Sequence, residues 1–141
     1  MNINNKMILK FPSLNENESF ARLAVASFCA RENLTVEDLS DIKTVVSEAV
    51  TNCVVHAYKD SLGMIEIECE ITNEKIKIII KDEGVGIDNV DEAIKPFFTS
   101  RPDMERSGMG FTVMEGFMDE MNVESAKNKG TIVTLIKNLA K

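Results

Sequence analysis

The sequence predicts an α+β fold in which one layer of helices covers a mostly antiparallel sheet. Its elements follow the order β-α-α-β-β-α-β-β, and the strands fall in adjacent hairpins with helices between them. The chain has 141 residues, of which 44% are apolar and 28% charged, so it can close one hydrophobic core. Because no repeat, linker or low-complexity tract divides it, we expect residues 1–141 to form a single domain.

The first expected elements are a short strand and a helix. Residues 7–12 (MILKFP) favour a strand. Asn15, with Glu18 three residues later, is typical of a capping box at a helix N-terminus. This pattern predicts a helix that continues to about Glu32.

The middle of the chain changes from helical to strand periodicity. Thr35 and Asp38 repeat the capping signal, and apolar residues at helical spacing predict a second helix to about Tyr58. Residues 65–71 then alternate apolar residues with glutamate, and residues 75–81 combine isoleucines with lysines. This pattern predicts an antiparallel hairpin in which the acidic row can face the basic row; the alternative is a charged face exposed to solvent.

The last third of the chain is first irregular and then regular again. Glycines and prolines punctuate residues 83–110. A helix is expected at about 110–120, and two strands at about 122–126 and 131–138 are joined by a turn at 127–130.

Composition and charge exclude several classes of function. The net charge of −7 argues against direct binding to nucleic acid, which requires a basic face, whereas it suits a basic protein partner. The sequence shows no signal-peptide or membrane-spanning pattern, so we expect no membrane association and a cytoplasmic location. Cys29, Cys53 and Cys69 form no CxxC pair and lie in apolar runs, which predicts buried thiols rather than a metal site or disulfides.

A polar face on the second helix is the first candidate for chemistry. Glu48, Asn52 and His56 are spaced four residues apart, off the apolar stripe, although asparagine is unfavourable inside a helix. An amide oxygen is a hard ligand suited to Mg²⁺, and a carboxylate one turn away can accept a proton from an attacking hydroxyl. The alternative is a polar stripe that faces solvent.

Segments near the strand ends are the next candidates. Asp82 can accept a hydrogen bond from the amino group of adenine, and Gly84 and Gly86 let the backbone approach a flat base, unless they form an ordinary turn. Residues 107–111 (SGMGF) open a helix whose exposed N–H groups suit phosphate, unless the glycines only allow tight packing. Thr131, which opens the last strand, can add a hydroxyl toward the base.

Together these segments resemble the nucleotide-binding boxes of the GHKL superfamily. Glu48…Asn52 is similar to the N box, and Asp82-x-Gly84-x-Gly86, Gly108-x-Gly110 and Gly130-Thr131 are similar to the three glycine boxes, in the same order. The resemblance spans the whole chain. It implies the Bergerat fold, a helical layer on a mixed sheet, with ATP bound between the helices and a mobile lid at about residues 88–109.

Within that superfamily the chain is similar to stand-alone kinases of the anti-sigma factor type. The stretches that carry this similarity are residues 17–22 (NESFAR), 44–52 (TVVSEAVTN) and 105–115 (ERSGMGFTVME). The similarity implies a homodimer that binds and silences a sporulation sigma factor and uses Mg-ATP to phosphorylate a serine of an anti-anti-sigma factor. A histidine kinase is not expected, because the single histidine, His56, lies inside the N-box helix.

The resemblance also implies roles for individual residues. By position, Glu48 becomes the catalytic base, Asn52 the Mg²⁺ ligand and Asp82 the adenine acceptor. Beside Asp82 lie Gly84, Gly86 and Thr131. The residues that cover the phosphates are Ser107, Gly108, Met109 and Gly110. Arg22 matches a position that contacts protein partners. Arg106 either adds charge stabilisation near the phosphates or is an exposed lid arginine. The pair His56-Ala57 departs from the His-Gly pair that is frequent in the superfamily.

Other functions stay open on the sequence alone. A nucleotide-gated protein could hold a sigma factor without catalysis, although a pure switch needs no base such as Glu48. A related stress-response kinase would use the same chemistry with a different sigma factor. A regulator without a nucleotide would show no thermal shift with Mg-ATP.

Overall fold

The described elements follow the predicted order β-α-α-β-β-α-β-β, with one additional short helix before the last helix. The computed structural model describes residues 3–30, 34–59, 61–87, 89–94 and 110–139. In chain order its elements are β1 (Ile3–Pro12), α1 (Asn17–Cys29), α2 (Val36–Asn52), a π-helical turn (Cys53–Ala57), β2 (Met64–Thr72), β3 (Lys75–Asp82), α3 (Val90–Ala93), α4 (Gly110–Phe117), β4 (Glu120–Ser125) and β5 (Thr131–Asn138).

The five strands form one sheet with the order β1-β2-β3-β5-β4. Every neighbouring pair of these described strands is antiparallel. The predicted α+β class, a helical layer on a mostly antiparallel sheet, is confirmed. Because β3 lies next to β5, the end of β3 meets the start of β5, and Asp82 is paired with Thr131.

One face of the sheet is buried under α1 and α2. Alternate residues of β2 and β3 point to this face, where Ile67 and Ile78 are fully buried. Val25 of α1 and Val46 of α2 belong to the same core. Burying an aliphatic side chain of this size contributes about 1.5–3 kcal/mol, so the core holds α2 firmly over the sheet.

The opposite face of the sheet carries the charged residues of the hairpin. Glu66 lies opposite Lys81, with 3.6 Å between Oε2 and Nζ, which confirms the predicted pairing of acidic and basic rows. Lys10 of β1 approaches the same glutamate at 3.4 Å, and Lys6 lies 3.3 Å from Glu68. The acidic row therefore has lysines on both sides, an arrangement that contributes little to stability because water screens it.

Of the two predicted capping boxes, one forms and one does not. Asp38 N–H donates to Thr35 Oγ1 at 3.0 Å, and Thr35 N–H donates to Asp38 Oδ2 at 3.2 Å, so the box at α2 is confirmed. The box at Asn15 is wrong, because α1 begins one residue after Glu16. The carboxylate of Glu18 instead accepts a hydrogen bond from Ser47 of α2 at 2.7 Å.

The helix ends also differ in detail from the prediction. The α-helical part of α2 ends at Asn52, and the π-helical turn continues to Ala57, close to the predicted end. Helix α4 ends at Phe117, because the N–H of Asp119 donates to the carbonyl of Ile136 in β5 instead of continuing the helix. Helix α1 ends at Cys29, because Ala30 is extended, three residues before the predicted end at Glu32, which itself lies outside the described residues. Within the described ranges, every helix is too short or too polar to cross a membrane.

The three cysteines are buried thiols, as predicted. The sulfur atoms of Cys29 in α1 and Cys69 in β2 lie 3.5 Å apart inside the core. Cys53 occupies a different place, at the start of the π-helical turn and beside the end of β3.

Candidate functional site

A cleft of about 470 Å³ opens between the C-terminal part of α2 and the end of the sheet. Small-molecule sites typically enclose roughly 300–1,000 Å³, so its size suits a nucleotide. Five of the residues that the sequence assigns to the nucleotide site line it: Asn52, Asp82, Gly86, Gly110 and Thr131. Ile80 and Val133 add an apolar wall, which suits the face of an aromatic base. The fold therefore brings residues from four predicted boxes to one cavity.

Asp82 ends β3 and is nearly buried, with 8% of its surface exposed. Its Oδ1 accepts a hydrogen bond from the N–H of Gly84 at 3.0 Å, and its Oδ2 accepts one from the thiol of Cys53 at 3.5 Å. Burial raises the pKa of Asp82, while these two donors and the backbone N–H of Thr131 act in the opposite direction. The carboxylate is thus held in one orientation, as an acceptor on the floor of the cleft.

The glycines after Asp82 allow the loop to pack against two other segments. A Cβ at Gly84 would collide with the carbonyl of Ala57, which accepts a hydrogen bond from Val85 N–H at 2.8 Å. Gly86 has a φ of +76°, and a Cβ there would collide with the carbonyl of Ala126. Gly86 lines the cleft, whereas Gly84 does not. Packing against the π-helical turn explains why position 84 has no side chain.

The departure from the His-Gly pair does not prevent this packing. Ala57 makes its contact through the backbone carbonyl, which alanine supplies as well as glycine. His56, the preceding residue, lines the cleft together with Asn52.

Glu48 and Asn52 meet at the first residue of α4. A Cβ built on Gly110 would lie 3.2 Å from Asn52 Oδ1 and 3.4 Å from Glu48 Oε2. A carboxylate and an amide therefore face the N-terminal end of a helix, where the partial positive charge favours anions. Asn52 and Gly110 line the cleft itself, and Glu48 lies next to them at its edge.

Comparison with known proteins identifies the family of this chain. Residues 11–137 match the family model described as histidine kinase-like ATPase domain. The chain is 52% identical to the anti-sigma F factor of Caldanaerobacter subterraneus subsp. tengcongensis, with 100% of this chain and 99% of the relative covered. It is 53% identical to the anti-sigma F factor of Clostridium novyi, with 96% and 95% covered. The chain belongs to the anti-sigma F factor family.

A solved structure supports the fold. The crystal structure of the RsbU and RsbW domains of Rv1364c from Mycobacterium tuberculosis matches 96% of this chain with a TM-score of 0.66. The sequence identity is 16%, so the likeness concerns the fold alone. The anti-sigma F family chain spans 32% of that longer chain.

A shallow depression of about 360 Å³ lies on the other side of Glu48, between α1 and α2. Arg22 and Glu48 both line it. The guanidinium of Arg22 donates to Ser19 Oγ at 2.8 Å and lies 3.5 Å from the carboxylate of Glu18. The depression thus places an oriented arginine and a carboxylate on the same surface.

Sequence reasoning missed two residues beside the cleft. Cys53 was expected to be only a buried hydrophobe, yet its thiol donates to Asp82. Burial, and then the charge of Asp82, raise the pKa of the Cys53 thiol, so it remains a hydrogen-bond donor. Ser125, at the end of β4, lies 2.8 Å from the hydroxyl of Thr131. The sequence contains no signal for the role of Cys53. For Ser125 the signal is weak: this residue ends a strand just before the last turn.

The predicted phosphate-covering residues are only partly described. Arg106, Ser107, Gly108 and Met109 lie outside the described residues, as does most of the predicted lid. Within the segment predicted as a lid, the side chain of Asn89 accepts a hydrogen bond from Glu92 N–H at 3.1 Å at the start of α3. Both residues line the cleft, so residues 89–94 of that segment border the cavity.

Proposed function

We propose that this anti-sigma F family chain is both an anti-sigma factor and a serine-protein kinase. It binds a sporulation sigma factor, and it transfers the γ-phosphate of ATP to a serine of an anti-anti-sigma factor. The family supports the first activity, since its named relatives are anti-sigma F factors. One observation carries the second: Glu48 and Asn52 lie together beside Gly110, at the edge of the cleft whose floor carries Asp82.

Asp82 and Thr131 recognise the base in this proposal. Their side chains lie on the floor of the cleft, at the paired ends of β3 and β5. Asp82 accepts a hydrogen bond from the 6-amino group of adenine, and the apolar wall packs against the ring. A side chain at Gly86 would collide with the β4–β5 turn. Because glycine avoids this collision, the loop packs against the turn, and its backbone stays close to the base.

The phosphates lie toward the start of α4. Gly110 is buried and has no side chain, so the N–H groups of the first turn of α4 can approach an anion. Ser107, Gly108, Met109 and Gly110 belong to the segment that covers the phosphates, and Arg106 adds positive charge there. A lid at residues 88–109 closes over the nucleotide.

The donor set next to Gly110 fits Mg²⁺. The amide oxygen of Asn52 is a hard ligand, and Mg²⁺ is commonly held by one or two protein oxygens together with substrate phosphates. The described residues contain no group of three or more histidines, cysteines, aspartates or glutamates that could hold a metal ion without the nucleotide. The ion, when bound with ATP, neutralises charge on the transferred phosphoryl group.

Glu48 is the catalytic base. Its carboxylate takes the proton of the incoming serine hydroxyl, whose oxygen then bonds to the γ-phosphorus as ADP leaves. Glu48 lies between the cleft and the depression that contains Arg22. A protein substrate docked at Arg22 would therefore bring its serine to Glu48 from the side opposite the adenine ring. Alignment of this kind supplies much of the acceleration in phosphoryl transfer.

Three further features stay predictions. We expect a homodimer, which analytical ultracentrifugation of the full chain checks. We expect one domain over residues 1–141, which a single cooperative unfolding transition would support. We also expect a cytoplasmic location, without membrane or direct nucleic-acid binding.

Transfer of labelled γ-phosphate tests the proposal. The full chain is incubated with Mg-ATP and a purified anti-anti-sigma protein, and the label is followed into that protein. Label on serine supports the kinase. Binding of Mg-ATP and of a sporulation sigma factor without any transfer would indicate a nucleotide-gated anti-sigma protein instead. Preference for a stress-response sigma factor in a parallel binding assay would overturn the choice of partner.

A further inference from the structure

We propose that Ser125 is a positioning residue that sets the hydrogen-bond polarity of Thr131. In this role it makes the cleft floor select a purine that carries a 6-amino group. The inference rests on the proposed ATP site and adds to it the residue that orients one of the two acceptors for the base.

The hydrogen bonds of Ser125 use its whole capacity. A serine hydroxyl has one proton to donate and two lone pairs that accept. The carbonyl of Gly130, 2.8 Å away, can only accept, so it takes the proton of Ser125. The N–H of Ile87, also at 2.8 Å, can only donate, so it occupies one lone pair of Ser125.

The remaining contact of Ser125 fixes the proton of Thr131. Ser125 Oγ and Thr131 Oγ1 lie 2.8 Å apart, and geometry alone allows either to donate. Because Ser125 has already given its proton to Gly130, the hydroxyl of Thr131 donates to the free lone pair of Ser125. The lone pairs of Thr131 are then left for a ligand, so Thr131 acts as an acceptor.

Thr131 and Asp82 consequently have the same polarity. They are paired across β5 and β3, are each 8% exposed, and both line the cleft. The 6-amino group of adenine has two protons, and a floor with two acceptors can take both. A hydroxyl free to rotate would adapt to a donor or to an acceptor and would discriminate less.

The groups that hold Ser125 are themselves fixed by the backbone. Gly130 has a φ of +77°, and a Cβ there would collide with the carbonyl of Asp82. Ile87 follows Gly86, whose close contact with Ala126 was described above. The loop after β3 and the β4–β5 turn therefore meet at Ser125. The hydrogen-bond direction of Thr131 consequently depends on this loop keeping its conformation.

Binding of two nucleotides tests the inference. ATP and purine riboside triphosphate, which has hydrogen in place of the 6-amino group, are titrated into the full-length wild type and Ser125→Ala by calorimetry. We expect Ser125→Ala to lower the preference for ATP over the analogue roughly fivefold, since one hydrogen bond to the amino group is no longer enforced. Ser125→Thr keeps the hydroxyl and is expected to restore the preference.

A double-mutant cycle separates polarity from general loosening of the loop. In a Thr131→Val background, Ser125→Ala should leave the preference nearly unchanged, because the hydroxyl that Ser125 orients is already gone. An unchanged preference in Ser125→Ala with ATP still bound overturns this inference and leaves the proposed function intact. If Ser125→Ala does not fold, Thr131→Val alone decides: a preference equal to that of the wild type overturns the inference. Failure of the wild type to bind either nucleotide overturns the proposed function as well.

Discussion

The thiol of Cys53 donates a hydrogen bond to the carboxylate of Asp82, with 3.5 Å between Sγ and Oδ2. The two residues are 29 positions apart and join the start of the π-helical turn to the end of β3. A cysteine that would otherwise be a small core residue therefore orients the side chain proposed to recognise adenine.

Replacing Cys53 by alanine should weaken nucleotide binding. In Cys53→Ala, Oδ2 of Asp82 loses its donor, the pKa of Asp82 rises further, and we expect about threefold weaker ATP binding with roughly 1–2 kcal/mol lower unfolding free energy. Calorimetry and urea unfolding measure the two effects. Cys69→Ala is the matched control, because Cys69 is equally buried but lies against Cys29. It should lose stability and keep ATP affinity; equal ATP affinities in all three proteins would contradict the role of Cys53.

Asp82→Asn should separate binding from stability. Burial raises the folded-state pKa of Asp82 above its ordinary value of 3.8, so the ionised side chain costs stability at neutral pH. An amide can still accept from Gly84 N–H and place its NH₂ group against the sulfur of Cys53. We expect the variant to bind ATP more than about tenfold more weakly, because an NH₂ group now faces the amino group of adenine. Its melting temperature at pH 7 should not fall.

The pH dependence of this pair follows from the same pKa. As the pH falls through the raised folded-state value toward 3.8, wild-type Asp82 becomes protonated and its cost disappears. The stability of the wild type relative to Asp82→Asn should therefore increase with falling pH over that window. Chemical denaturation of both proteins at several pH values measures the difference, and a decrease over the same window would show that the carboxylate is stabilised as an ion.

Glu48→Gln should abolish phosphate transfer and leave ATP binding largely intact. Glutamine has nearly the same shape but cannot accept the proton of a serine hydroxyl, and loss of a general base lowers the rate about 10²–10⁴-fold. Labelled phosphate transfer and ATP titration measure the two quantities. Glu37→Gln, in the exposed first turn of the same helix, should behave as the wild type. Full transfer by Glu48→Gln would refute the assignment of the base.

Two glycine substitutions should change stability in opposite directions. Gly86→Ala places a Cβ against the carbonyl of Ala126 at a φ of +76°, and we expect a loss of about 1–3 kcal/mol. Gly116→Ala in α4 meets open space among the described residues and should gain about 0.5–1 kcal/mol, because alanine favours helices. Urea unfolding compares both with the wild type. A Gly86→Ala protein as stable as the wild type would contradict the packing described for this loop.

Local patterns predicted well wherever nearby residues decide the structure. The capping box at Thr35 and the hairpin of β2 and β3 depend on residues close in the chain, and both form. The box at Asn15 depends on Glu18 turning back to its own helix end. Glu18 pairs with Ser47 and Arg22 instead; the i,i+4 pair with Arg22 can be read within α1, but the contact with Ser47 of α2 cannot.

Long-range contacts explain what sequence reasoning missed at the site. Ser125 is an ordinary strand residue until Ile87 and Thr131 are brought to it. The sequence places Gly84 beside the base by its position after Asp82, and it does not reveal that a Cβ on Gly84 would meet Ala57. In both cases the partner lies on another element.

By itself the sequence determined the α+β class, the GHKL resemblance and the residue types of the candidate site, because periodicity and the order of the boxes are written locally along the chain. Only the tertiary structure decided that Glu48 and Asn52 meet Gly110, and that Cys53 meets Asp82. The physical reason is the strand order: it places β5 beside β3 and packs α2 over them, so the contacts arise from burial of the shared core.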